Sequence, residues 1–138
     1  MRAMYRSAMI LLVAATAAGA QAATSRSLPP GQQVCDMSLR LISIRLVNAQ
    51  GAPVPDAAIT VRRVRTRTML ANAEAMGGQG DYRILEDGVL PDLRRGGEPF
   101  DVRFTKDGRV RRVRLVIGMD AGGCHVMLKS GPTKVSFQ

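Results

Sequence analysis

Tryptophan is absent from the 138-residue chain, and three phenylalanines and two tyrosines make up its whole aromatic content. Single-strand nucleic-acid surfaces stack bases on aromatic rings, so a nucleic-acid partner is disfavoured. A sugar-binding face would need the same rings. An outer-membrane barrel needs aromatic girdles and lipid-facing strands of about ten residues, and neither is present. Histidine occurs once, as His125, so one side chain could serve as a general base near neutral pH. Lysine is scarce: seventeen of the twenty basic residues are arginine. Long apolar runs are missing too. The best, Ala8 to Ala18, is broken only by Thr16, and its roughly eleven residues fall short of the twenty or so that a spanning helix needs. No membrane span is expected.

That short run has another use. Arg2 and Arg6 precede it without any acid, and Gly19-Ala20-Gln21-Ala22 follows it. Ala20-x-Ala22 fits the small-x-small rule of a leader peptidase, so residues 1–22 read as a cleaved signal peptide and the protein as periplasmic or secreted. No cysteine stands at the cleavage point to take a lipid anchor. Residues 23–33, with Pro29-Pro30-Gly31, read as a flexible lead-in, and residues 34–138 as one domain with one core.

Removing Arg2 and Arg6 leaves 18 basic against 11 acidic side chains, or +7. A polyanionic partner is one account of this excess, since guanidinium pairs bidentately with phosphate and carboxylate. The plainer account is the codon usage of a GC-rich genome, which favours arginine over lysine. Charge by itself bears on binding and solubility, not on fold.

Two cysteines remain, Cys35 and Cys124. An even count in an exported chain reads as a disulfide. The bridge would close a loop of about 90 residues, which the chain-entropy model values at about 4.5 kcal/mol. A metal or redox pair would want a CxxC spacing. One adjacent histidine is too few for a closed zinc site, so no metal or cofactor is expected.

The stretch Ile42–Val64 sets the grammar of the domain: a strand, a Gly/Pro turn and a second strand. In Leu39–Val47 the set Arg40, Ile42, Ile44 and Leu46 is the cleaner apolar face and should point inward. Gly51 sits where positive φ is cheap, and Pro53 with Pro55 suits a strand entry or edge. Ala57, Ile59 and Val61 then alternate with Ala58, Thr60 and Arg62. Residues 68–78 have a helical composition; a turn or two of helix competes there with an irregular connection or short strand, because isolated propensity is often overridden. Tyr82 and Ile84 share a face. Phe100, Val102 and Phe104 alternate with Asp101, Arg103 and Thr105. Asp107-Gly108 is the strongest hairpin signal, and its return strand places Arg111, Val113, Leu115 and Ile117 together. Cys124, Val126 and Leu128 begin a further strand, and Val135 with Phe137 makes a last one. About seven strands without helical crossovers predict an all-β, immunoglobulin-like antiparallel sandwich.

Two pieces resemble the carboxypeptidase regulatory-like and transthyretin-like sandwich domains. Residues 51–61, GAPVPDAAITV, resemble the family's G-x-P-[VL]-x-[GD]-A-x-[VI]-x-V element. Gly80-Asp81-Tyr82 and Gly97-Glu98-Pro99-Phe100-Asp101-Val102 resemble its later G-x-Y and G-x-[YF]-x-[VL] elements. The resemblance spans roughly Leu39 to Phe104 and implies a sandwich used as an accessory, adhesive or binding module. One transthyretin-like branch hydrolyses 5-hydroxyisourate with several histidines, an arginine and a C-terminal Tyr-Arg-Gly-Ser. This chain has one histidine and ends Lys134-Val135-Ser136-Phe137-Gln138, so that activity finds no residues to rest on.

No catalytic constellation emerges. Cys124 and His125 are consecutive, and neighbouring strand residues point to opposite faces, so His125 reads as an exposed strand histidine. There is no nucleophile elbow, no P-loop and no calcium loop, and the protein is expected not to be an enzyme. The arginine strands are the unusual feature: Arg62, Arg63, Arg65 and Arg67 in one run, and Arg109, Arg111, Arg112 and Arg114 in another. They are candidate anion-binding residues if the strands lie together; otherwise they are a solvated face whose stems cover apolar surface and whose charges guard strand edges. The expected function is a non-catalytic binding or accessory module of the cell envelope that engages another envelope protein through an open strand edge. The alternative is an anion binder acting on an acidic polymer or lipid head group.

Overall fold

Alternation of apolar and polar side chains every second residue produces strands almost throughout the computed structural model, which describes residues 34–70, 73–76 and 78–138. The expected leader (1–22) and lead-in (23–33) lie outside the described residues. The strands are β1 (Leu41–Val47), β2 (Ala58–Arg63), β3 (Met69–Leu70), β4 (Glu74–Met76), β5 (Asp81–Glu86), β6 (Glu98–Lys106), β7 (Arg109–Met119), β8 (Val126–Ser130) and β9 (Lys134–Ser136), with a 3-10 turn over Asp87–Asp92. They form a four-stranded sheet in the order β4-β5-β1-β9 and a five-stranded sheet in the order β3-β2-β6-β7-β8. The protein is an all-β sandwich.

Two details differ from the simplest sequence reading. Nine strands are present among the described residues rather than about seven, because the stretch for which a helical turn and a short strand competed contributes the two short strands β3 and β4. Met69 and Leu70 pair with Arg62 and Val61, and Glu74, Ala75 and Met76 pair with Arg83, Tyr82 and Asp81. Both segments lengthen a sheet edge, and those ladder hydrogen bonds outweigh a weak helical propensity. In addition, β9 pairs with β1 in parallel, while every other pairing is antiparallel. The last strand thus closes inside the domain.

The core lies between the sheets. From β1 it takes Ile42, Ile44 and Leu46, the face expected to point inward; from β5, Tyr82 and Ile84; from β6, Phe100, Val102 and Phe104; from β7, Leu115 and Ile117. Burying each such side chain contributes about 1.5–3 kcal/mol of transfer free energy. The Tyr82 ring meets Phe104 edge-on, with centroids 5.3 Å apart. Its hydroxyl donates to the Val54 carbonyl and accepts from the Ala57 N–H, both at 2.8 Å. One buried phenol therefore satisfies itself and pins the proline-containing connection between β1 and β2. Gly80 permits the close approach beside it: with φ at +75°, a Cβ there would stand 2.8 Å from the Leu46 carbonyl oxygen.

Candidate anion-binding face

The β6–β7 hairpin positions the arginines. Asp107 and Gly108 have φ values of 50° and 75°, the paired positive values of a type I′ turn, whose twist matches that of the flanking strands. This two-residue turn sets the register: Arg103 opposes Arg112, and Asp101 opposes Arg114. On the other side of β6, β2 places Arg62 against Asp101 and Thr60 against Arg103. Phe100, Val102 and Phe104 point into the core, so the odd-numbered residues between them, Asp101 and Arg103, point outward. Two rows result on the outer face, Arg62-Asp101-Arg114 and Thr60-Arg103-Arg112.

An open groove of about 670 Å³ runs over these rows, lined by Thr60, Arg62, Met69, Asp101, Arg103, Arg112 and Arg114 among others. Asp101 divides its carboxylate between two strands: Oδ1 accepts from Arg114 Nε at 2.8 Å and Oδ2 from Arg62 Nη2 at 2.9 Å. The hydrogen bond from Arg114, then that from Arg62, holds this carboxyl below its usual pKa range. Arg103 and Arg112 have no ion pair among the described residues. Four guanidiniums and one carboxylate leave the groove with three uncompensated positive charges. Like charges directly opposite on neighbouring strands repel, and an anion bridging them would remove that cost.

Of the eight arginines expected from sequence, three reach this groove: Arg62, Arg112 and Arg114. Arg103, which the sequence reading did not include, is the fourth member. Arg63 and Arg65 turn elsewhere, toward Glu98. The Glu98 side chain is 1% exposed; its Oε2 accepts from Arg65 Nε at 2.6 Å, and its Oε1 stands 3.5 Å from Arg63 Nε. The longer contact is a charge pair without a hydrogen bond, and both of its atoms lack any other partner. The Arg63 guanidinium lies over the Phe100 ring at 5.6 Å, a cation–π contact at the edge of the core. Burial pushes the Glu98 pKa up, but the Arg65 hydrogen bond and the charges of Arg63 and Arg65 prevail and hold it below its ordinary value. Arg67 is exposed in the turn after β2, with φ at 59°. Arg109 and Arg111 are exposed at the start of β7 and do not line the groove.

Cys35 and Cys124 form the expected disulfide. His125 departs from expectation: it is 9% exposed, not an open strand residue. It precedes β8, in a turn organised by Asp120, whose Oδ1 accepts from the Cys124 and His125 N–H groups. The ring lies between two carboxylates, with Nδ1 2.8 Å from Asp87 Oδ2 and Nε2 3.1 Å from Asp36 Oδ1. The Asp87 hydrogen bond and the surrounding carboxylates raise the His125 pKa against the opposing effect of burial. Cys124, the preceding residue, is oxidised in the disulfide and offers no thiolate beside this ring. Among the described residues no group of histidine, cysteine, aspartate or glutamate is arranged to hold a metal ion, and no helix is long and apolar enough to cross a membrane.

Comparison with protein-family models, with curated proteins and with solved structures gave no match.

Proposed function

We propose that this chain is an exported, non-catalytic binding module of the cell envelope, and that its ligand is anionic and sits on the outer face of the five-stranded sheet. One observation carries the reading: Arg103 and Arg112 stand opposite each other in an open groove, without a carboxylate for either among the described residues. A ligand bearing closely spaced carboxylates or phosphates meets two forked donors there, with Arg62 and Arg114 alongside. Export is supported by the disulfide, which persists in oxidising compartments, and by the leader-like residues 1–22. The resemblance to carboxypeptidase regulatory-like sandwiches favours a binding module over an enzyme.

The test is titration of the mature protein with inorganic polyphosphate and with polyglutamate. Binding is expected at about 50 mM salt and should weaken by at least about tenfold at 0.5 M, where exposed charges are screened. The double variant Arg103→Gln/Arg112→Gln should lose about tenfold or more at low salt with its thermal transition retained. Absence of binding at low salt, or undiminished binding by the double variant, would remove the proposal.

A further inference from the structure

Building on that reading, we infer that the anion is carried by an extended acidic polypeptide segment, which adds as a strand to the free half of β7. The strand β8 covers only Val116–Met119 of β7. Over residues 109–113, β7 has β6 on one side and no strand on the other among the described residues; at Arg114 and Leu115 the edge is met by Gly131. Residues 109–113 extend about 17 Å at 3.3 Å per residue, enough for a strand of ordinary length.

The hairpin geometry says which backbone groups are free. A two-residue type I′ turn closes on a hydrogen-bonded pair, here Lys106 and Arg109. Bonding toward β6 then alternates, so Arg109, Arg111, Val113 and Leu115 bond inward to β6. Val110, Arg112 and Arg114 direct their N–H and C=O groups away from it. Among the described residues no backbone hydrogen bond outside the strand ladders reaches Val110 or Arg112. Arg114 is flanked by Gly131, whose Cβ position lies 3.0 Å from the Arg114 carbonyl oxygen, so Val110 and Arg112 present two donors and two acceptors at the spacing of a strand, which is the template for β-augmentation.

The side chains beside this edge select the occupant. Arg112 and Arg114 flank it on the outer face, Arg109 and Arg111 on the other, and all four are exposed. A segment with glutamate or aspartate at alternate positions would lay carboxylates beside Arg112 and Arg114 while its backbone completes the ladder. Arginine on an edge is also a known guard against pairing. Both effects follow from one charge: a second copy of β7 would oppose arginine with arginine, which repels, whereas an acidic strand is attracted. The edge is closed to self and open to one kind of partner.

The experiment compares a seven-residue capped peptide of alternating glutamate and valine with two versions N-methylated at one or the other alternate set of amides. All three carry the same charge; methylation removes the donors along one edge. Methylating one set should weaken binding by about tenfold or more, and methylating the other should change it little. Val110→Pro removes one outward N–H while leaving every arginine and the bonds toward β6, as proline on an edge allows. It should weaken the unmodified peptide several-fold and leave polyphosphate binding unchanged, which also reports an intact fold. Equal binding of all three peptides, with polyphosphate still bound, would overturn strand addition and leave the anionic face standing. Failure of both peptide and polyphosphate to bind would overturn both.

Discussion

Arg103 and Arg112 oppose one another across β6 and β7 on the outer face of the sheet, and neither has a carboxylate partner among the described residues. This pair lowers stability in the unliganded protein, since like charges directly opposite are unfavourable. Converting it to an attractive pair with Arg112→Glu should raise stability by about 0.2–1 kcal/mol, read as an increase in denaturation midpoint. The same variant should lose polyanion binding. A fall in midpoint would mean the two guanidiniums do not repel.

Asp101 neutralises part of the groove by holding Arg62 and Arg114. Asp101→Asn should therefore tighten polyphosphate binding several-fold. It should cost little stability, about 1 kcal/mol at most, because both arginines are half-exposed and exposed pairs are weak. Weaker binding would indicate that Asp101 orients the arginines rather than competing with the ligand.

Glu98 behaves differently because it is buried with Arg63. Removing one member of a buried pair leaves an uncompensated charge and costs about 3–5 kcal/mol. Glu98→Gln should fall near the lower end of that range, since the amide oxygen still accepts a hydrogen bond. Chemical denaturation measures it, and a loss below about 1 kcal/mol would show that Arg63 finds solvent when Glu98 is gone.

The His125 cluster gives stability a defined pH dependence. The folded-state pKa of His125 is raised above its ordinary 6.5, so its contribution is fully present below about pH 6.5 and is lost as pH rises through the folded value. Burial raises the Asp87 pKa, but the hydrogen bonds from His125 and from the Arg40 and Val126 N–H groups lower it below its ordinary 3.8 overall. The Asp87 contribution is thus present above about that pH and is lost as pH falls through the lowered value. Thermal midpoints should decline from pH 6 to pH 8, and His125→Gln should flatten that slope. A variant that keeps the wild-type slope would place its origin elsewhere.

Reducing Cys35–Cys124 reopens a loop with a sequence separation of 89. The loss of stability should approach the chain-entropy value of about 4.5 kcal/mol, measurable as a lower denaturation midpoint for Cys35→Ser/Cys124→Ser. A loss under about 1 kcal/mol would mean that the segment before β1 is already constrained in the unfolded chain.

Much of this architecture was legible from local pattern. The inward face of β1 follows from Ile42, Ile44 and Leu46, and Asp107-Gly108 announces the β6–β7 turn. That turn also implies the register that places Arg103 against Arg112, a signal available in sequence but not followed through to the site. The inward turn of Arg63 could likewise have been read from its alternation with Val61. His125 could not: its partners Asp36 and Asp87 lie 89 and 38 positions away, and only the assembled fold and the disulfide bring them to the ring. The short strands β3 and β4 were legible only as one of two competing expectations, because their residues favour helix in isolation and become strands when a sheet edge offers a ladder.

The disulfide also has a mechanical meaning. It sews the stretch just ahead of β1 to the turn just ahead of β8, and these belong to different sheets. Traction applied at Val34 therefore cannot peel β1 away from its neighbours starting at that end, because Cys35 would have to part from Cys124. The pull is shared between the two sheets through a covalent link, and the sandwich resists it as one piece.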